Sequence, residues 1–165
     1  VATQESLCLK DACLPFLGTD DVLPKLSTRV TNFHVAIGQI KTAEPRVRVF
    51  ELLQSLSCVL PVLNARDASI ASNVSLGAGV MVGRNAIVNS RAVVGANSIV
   101  NSGAIIEHGA KIGKHCHIGP GAIILGDAVI GSSTFIGAGA IVREGIGVAP
   151  NSVIGAGVRV MFDYE

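Results

Sequence analysis

Four side chains in the middle of this 165-residue chain have types and spacings suited to moving a proton. Glu107 and His108 are adjacent, Asn101 lies seven residues before that histidine, and His117 lies nine residues after it. Histidine is the side chain whose ordinary pKa, about 6.5, lets it gain or lose a proton near neutral pH. The segment predicts proton-transfer chemistry if the fold brings these groups to the right places.

The elements that must position them follow a repeat of six residues. An aliphatic residue stands at every sixth position from Ile70 to Val160, sixteen positions without a break. A small residue stands two positions before most of them, and glycine often follows them. Because this period does not fit a helix but suits a short strand and a tight turn, the sequence predicts a mainly β fold, a parallel solenoid.

The pattern is similar to that of the hexapeptide-repeat family, whose left-handed β-helix takes three hexapeptides per turn, roughly 18 residues. The resemblance implies about five coils over residues 68–160, stacked at the spacing of neighbouring strands, about 4.8 Å. We therefore expect a left-handed parallel β-helix domain over residues 65–165.

Residues 1–64 break the repeat and predict a separate small module. We expect a short strand and a turn over 15–24, a buried strand over 34–38, an amphipathic helix over 42–57 and a strand over 58–63. The helix should bury Val49, Phe50, Leu52, Leu53 and Leu56. Strand, helix and strand in this order predict a partial Rossmann-like α/β module that binds a sugar nucleotide.

The segment from Asn101 to Gly121, Asn-Ser-Gly-Ala-Ile-Ile-Glu-His-Gly-Ala-Lys-Ile-Gly-Lys-His-Cys-His-Ile-Gly-Pro-Gly, resembles the core of the bacterial sugar O-/N-acetyltransferases of the NeuD/PglD type. Leu-Gly-Thr-Asp-Asp-Val-Leu-Pro (17–24) and Val-Ala-Ile-Gly (35–38) look like that family's sugar-binding domain. The resemblance implies transfer of an acetyl group from acetyl-CoA to an amine or hydroxyl of a nucleotide-linked sugar, in bacterial surface-glycan biosynthesis. It implies no metal.

The resemblance also implies roles for individual residues. His108 is the general base, Glu107 its acidic neighbour, and Asn101 a hydrogen-bonding residue of the active site. Gly38 is the candidate for a close backbone approach to the acceptor. Acetyl-CoA is contacted by His117 and by three small residues, Gly126, Ala138 and Ala156.

On a coil of 18 residues these positions separate into two groups. Gly126 lies one turn above His108, whereas His117 is half a coil away from that histidine. Asn101 lies near the column that contains Ala138 and Ala156. We therefore expect two half-sites on opposite sides of the prism, which only a neighbouring copy can complete. A cyclic homotrimer with intersubunit active sites is the natural closure.

The chain departs from the family pattern in two places. Gly109 stands where the family carries an acidic residue directly after the catalytic histidine. Nothing from Val1 onwards matches the family's first strand and glycine-rich phosphate loop, so we expect the chain to bind acetyl-CoA well and nucleotide sugar poorly. Two alternative functions stay open, an inactive trimeric scaffold and a γ-type carbonic anhydrase with histidines around zinc.

Composition excludes several other classes. The formal net charge of +1 provides no field for nonspecific binding of nucleic acid or an anionic membrane. No apolar run approaches the roughly 18 residues of a membrane span. Four cysteines without a CxxC pair predict free thiols, and with them a cytoplasmic protein.

Overall fold

The computed structural model describes residues 7–9, 12–39 and 42–165. From Leu63 onwards the chain winds as a parallel β-solenoid whose two-residue strands form three sheets. The register pairs each strand with the strand 18 residues later, as Ile105 with Ile123, so each coil contains three hexapeptides. The predicted solenoid of about five coils is confirmed.

The three sheets are the faces of the prism, and we name them in chain order. Face 1 contains Leu63–Asn64, Met81–Val82, Ile99–Val100, His117–Ile118, Phe135–Ile136 and Val153–Ile154. Face 2 contains Ser69–Ile70, Ile87–Val88, Ile105–Ile106, Ile123–Ile124, Ile141–Val142 and Arg159–Val160. Face 3 contains Ser75–Leu76, Val93–Val94, Lys111–Ile112, Val129–Ile130 and Gly147–Val148.

The six-residue repeat builds the core directly. The second residue of almost every strand points inward and is buried, as are Ile106, Ile112 and Ile118 in one coil. Each such side chain contributes roughly 1.5–3 kcal/mol by leaving water. The small residue two positions earlier, such as Ala104 or Ala110, is fully buried at a corner, where a larger side chain would have no room.

The N-terminal residues differ from the predicted module. Leu7–Leu9 and Ala12–Leu14 form an antiparallel hairpin. Over 15–24 the predicted strand is not formed, and where a turn was predicted Asp20–Val22 is a short 3-10 helix that leads into helix α1, Leu23–Ser27. Pro24 stands in the first turn of that helix, where its missing N–H costs nothing, so here proline starts a helix.

The two strands predicted to flank the main helix are largely absent. Residues 34–38 form no strand, although Val35 is buried, and Asn32 makes an isolated parallel bridge with Val59. The only strand near 58–63 is Leu63–Asn64, which already belongs to face 1. The described part of residues 1–64 therefore contains no Rossmann-like parallel sheet.

The predicted helix over 42–57 is observed as α2, Glu44–Ser55. Val49, Phe50 and Leu53 are buried as expected, whereas Leu52 and Leu56 are half-buried. The helix packs beside the corner between faces 3 and 1, where the Phe50 ring meets the His115 ring edge-on at 5.6 Å. No helix in the described residues is long and apolar enough to cross a membrane.

Candidate active site

His108 is exposed at the corner between faces 2 and 3, and its ring lies against Gly126 of the next coil. A Cβ atom at position 126 would stand 2.7 Å from Cε1 and 2.9 Å from Nε2 of the imidazole. Glycine at 126 therefore leaves the space that the ring occupies. The structure confirms the predicted stacking of Gly126 above His108.

The two acidic side chains near His108 have different positions. The Glu107 carboxylate accepts the backbone N–H of His108 at 3.3 Å, so it is engaged with the main chain. The Asp127 carboxylate occupies the space into which a side chain at Gly109 would project. The Asp127 backbone N–H also donates to the His108 carbonyl at 3.0 Å. Position 109 has no acidic group of its own, but Asp127 supplies one to the same corner from the coil above.

Asn101 and His117 form a second cluster, at face 1 and its edge with face 2. The Asn101 amide nitrogen lies 3.1 Å from Nε2 of His117, and the Phe135 ring packs edge-on to this imidazole at 5.4 Å. A cavity of about 160 Å³ opens beside the pair. Its other walls are Val35, Ala36, Gly38, Met81 and Ile99. Gly38, the predicted acceptor contact, thus lines this cavity and not the surroundings of His108.

Ala138 and Ala156 are exposed on consecutive coils, joined by a hydrogen bond from Gly157 N–H to the Ala138 carbonyl at 2.9 Å. Both follow face 1 strands, as Asn101 does, and so stand at the same corner of the prism. His108 is at the corner opposite face 1. One chain therefore keeps the two predicted half-sites apart.

Gln39 and Arg46 are two residues of this region that the sequence analysis missed. Arg46, in the first turn of α2, is only 1% exposed, and its Nη2 donates to Oε1 of Gln39 at 2.7 Å and to the carbonyls of His115 and Cys116. Gln39 is buried and contacts Nδ1 of His117 through its backbone. The helical spacing of Arg46 with Val49, Phe50 and Leu53 was a signal that it faces inward.

Burial governs the charges of this region. It lowers the pKa of His117 and of His115, and the nearby Arg46 cation lowers both further. Burial also lowers the pKa of Arg46 to about 10 and raises the pKa of the Cys116 thiol to about 11. Cys116 is therefore a neutral, unreactive thiol at neutral pH, and neither Cys58 nor Cys116 forms a disulfide.

Acidification should destabilise the fold. Burial lowers the pKa of His34, His115 and His117 below 6.5 in the folded state. The unfolded chain therefore binds more protons once the pH falls below about 6.5, and the free energy of unfolding decreases. We expect Tm to be level above pH 7 and to fall from pH 6.5 towards pH 5. Calorimetric scans across this range test the expectation, and a Tm that rises on acidification contradicts it.

Within the described ranges, no three His, Cys, Asp or Glu side chains come close enough together to hold a metal ion. His108 and His117 lie on opposite sides of the prism. A zinc site built from the histidines of one chain is therefore not formed.

Comparison with known proteins agrees with this architecture. Residues 91–126 match the model of the bacterial transferase hexapeptide (six repeats), and residues 127–161 match the hexapeptide repeat of succinyl-transferase. Two hexapeptide-repeat models thus match the solenoid from residue 91 to residue 161. No match is found among curated proteins.

Two acetyltransferases have closely similar structures. A variant of perosamine N-acetyltransferase from Caulobacter crescentus, in complex with CoA and GDP-perosamine, is 28% identical with a TM-score of 0.87, over 92% of this chain and 71% of that chain. The acetyltransferase domain of PglB from Neisseria gonorrhoeae, in complex with acetyl coenzyme A, is 27% identical with a TM-score of 0.86, over 97% of this chain and 78% of that chain. The resemblance to sugar acetyltransferases is confirmed.

Proposed function

We propose that this hexapeptide-repeat protein transfers an acetyl group from acetyl-CoA to an amine or hydroxyl of a nucleotide-linked sugar. The observation that carries the proposal is the pair of half-sites, His108 against Gly126 and Asn101 with His117, on a scaffold that superposes on two sugar acetyltransferases. Crystal structures of the Caulobacter enzyme include two variants in which a histidine is replaced by asparagine or alanine, each in complex with CoA and GDP-perosamine.

In the proposed reaction His108 acts as the general base. The nitrogen or oxygen of the acceptor attacks the thioester carbonyl carbon while the imidazole removes its proton. The C–S bond then breaks, and the sulfur of CoA leaves with the proton that the imidazolium returns. Gly126 keeps this face of the ring free of a side chain, and the exposed position of His108 lets it reach an acceptor held by another copy.

The direct test is release of CoA thiol from acetyl-CoA by the purified chain. GDP-perosamine is the first acceptor, followed by other nucleotide-linked amino sugars, and mass spectrometry identifies the acetylated product. Thiol release that depends on the acceptor supports the proposal. Acetyl-CoA binding without turnover on any of these acceptors favours the inactive scaffold.

We further propose that Asp127 takes over the role of the acidic residue missing at Gly109. Both residues have left-handed backbone conformations at equivalent turn positions of consecutive coils, with φ of +70° at Gly109 and +58° at Asp127. An anionic carboxylate at this corner would stabilise the imidazolium that forms when His108 accepts the proton, in keeping with the roughly 1 kcal/mol that a near-surface charge pair contributes.

Exchanging the two residues tests this assignment. D127G alone is expected to lower kcat several-fold, and the double variant G109D/D127G should recover most of the loss. The exchange is sterically permitted, because D127G removes the carboxylate that a Cβ at 109 would otherwise meet, and an aspartate already adopts the equivalent left-handed conformation at 127. Steady-state kinetics of the single and double variants provide the measurement, and a double variant no better than D127G contradicts the role of the carboxylate.

We propose a homotrimer with intersubunit sites, as the separated half-sites require. Four outward-pointing isoleucines on consecutive strands of face 2 support it: Ile87, Ile105, Ile123 and Ile141. Such an apolar stripe on a sheet is typical of a protein–protein contact. Asn101 and His108 stand at the two edges of this face. A three-fold neighbour docked there would bring Asn101 of one copy towards His108 of the next.

Three finer features belong to the same proposal. We expect the solenoid to wind left-handed, as in the family. We expect the acceptor nucleotide to contact the module of residues 1–64, with Gly38 close to the sugar, since Gly38 lines the cavity beside Asn101 and His117. The unpaired Cys58 and Cys116 are compatible with a cytoplasmic location.

A further inference from the structure

Both ring nitrogens of His117 are engaged, and the partners differ in kind. Nδ1 lies 3.0 Å from the backbone carbonyl oxygen of Gln39, which can only accept a hydrogen bond. Nε2 lies 3.1 Å from the amide nitrogen of Asn101, which can only donate one. The two contacts together require a proton on Nδ1 and a lone pair on Nε2.

The orientation of the Asn101 amide is fixed by its other end. Its Oδ1 accepts the backbone N–H of Ser102 at 2.7 Å, so turning the amide round would set two donors against each other there. The backbone N–H of Gln39 lies 3.3 Å from Nδ1 and alone would favour the opposite tautomer. That tautomer would bring the Nε2–H of His117 against the Asn101 amide N–H. The Nδ1–H form instead satisfies the contact with Asn101 at Nε2 and the shorter of the two contacts at Nδ1.

Gln39 is itself held rigidly by its side chain. Oε1 accepts from Nη2 of Arg46 at 2.7 Å, and Nε2 donates to the Ser133 carbonyl at 3.0 Å. Gln39 and Arg46 are 3% and 1% exposed, so water does not compete for these bonds. The Gln39 carbonyl is therefore kept in one place against His117 by a buried cation of helix α2.

Protonation of His117 would disrupt this arrangement. An Nε2–H would face the donating amide of Asn101, and the new positive charge would lie in a buried region that already contains the Arg46 cation. Of the charged groups around His117 in the described residues, Arg46 is the one whose charge acts on it. Geometry and charge thus favour the same neutral form.

The locked form of His117 leaves Asn101 as the free donor of the pair. One N–H of the Asn101 amide binds Nε2 of His117, and the second has no protein partner in the described part of the chain. Asn101 also lines the 160 Å³ cavity, whose other walls are mostly apolar. A single N–H donor in such a cavity suits a carbonyl oxygen.

We propose that Gln39 and the buried Arg46 hold His117 as a neutral Nδ1–H acceptor, so that Asn101, and not His117, donates to a carbonyl oxygen of the acyl-CoA ligand. Asn101 is the ligand-binding residue, and His117, Gln39 and Arg46 are positioning residues. The identity of the ligand rests on the proposed function, whereas the tautomer does not.

Long-range 1H–15N spectra of the wild-type protein with labelled histidine test the tautomer without any substrate. We expect the His117 signal, assigned with H117Q, to show Nδ1 protonated and Nε2 bare, unchanged from pH 8 to pH 5.5. A protonated Nε2, or titration of His117 near pH 6.5, overturns the lock. R46Q should raise the pKa of His117, because the Arg46 cation lowers that pKa in addition to burial, whereas R48Q, on the same helix but exposed, should leave it unchanged.

N101D tests the donor role, because it keeps the shape of the side chain and removes its N–H groups. We expect the affinity for acetyl-CoA, measured by calorimetry, to fall about tenfold or more, as for one lost hydrogen bond. Unchanged affinity would show that the Asn101 amide does not donate to the ligand, and would overturn our assignment. A wild-type protein with the expected tautomer but no acetyl-CoA binding would overturn the proposed function and leave the lock in place.

Discussion

H108A is expected to lower kcat/KM for acetyl transfer at least about 100-fold, the usual effect of losing a general base. His108 is exposed at its corner, where Gly126 leaves room for its ring and Asp127 lies beside it. Its imidazole makes no contact on which the solenoid core depends, so the fold and the assembly should persist. Steady-state kinetics, with light scattering and circular dichroism on the same samples, provide the measurement.

S90A is the matched control for this substitution. Ser90 occupies the same corner one coil below His108, and its backbone carbonyl accepts the Gly109 N–H in either variant. We expect S90A to keep near-wild-type rates. If H108A also did so, His108 would not be the base, and the proton acceptor would have to belong to another residue.

I123K is expected to convert the proposed trimer to monomers and to abolish activity. Ile123 lies in the middle of the outward isoleucine stripe on face 2, between Ile105 and Ile141. A lysine there would place three charges at the proposed three-fold contact, where burying an unpaired charge costs several kcal/mol. Because each half-site needs a neighbour, loss of the trimer should remove turnover even though His108 and Asn101 are intact. Light scattering and the thiol-release assay measure both effects.

V129K supplies the control, since Val129 points outward from face 3 and is 47% exposed. It should stay trimeric and active.

Co-assembly of H108A with N101A chains gives a sharper test, because an interface between the intact Asn101 of one chain and the intact His108 of the other restores a complete site. Activity in the mixture is expected to exceed the activity of either variant alone. A monomeric, active wild-type protein would contradict the intersubunit site.

The sequence by itself determined the solenoid and the sorting of its residues onto faces and corners. A strict period of six fixes which side chain points inward, so Ile106, Ile112 and Ile118 could be placed in the core from their numbers alone. The same arithmetic placed Gly126 over His108 and separated His108 from His117, because in a solenoid sequence distance converts directly into position.

Residues 15–64 were less predictable because no period constrains them. The α2 helix was found from its apolar face, but the flanking strands were not, since short apolar segments such as 34–38 can be buried without pairing. The sequence indicates a turn at Pro24, whereas this proline stands in the first turn of α1, where its missing N–H costs nothing. Local propensity alone does not distinguish these outcomes.

Only the tertiary structure decided how the two parts of the chain meet. The contact between Gln39 and His117 spans 78 positions, and Arg46 reaches the backbone of His115 and Cys116 across about as many. The position of the Asp127 carboxylate over Gly109 likewise depends on the direction in which its side chain projects. The repeat assigns both residues to one column, but whether a side chain projects along that column depends on the backbone conformation and on the room its neighbours leave, which no spacing in the sequence encodes.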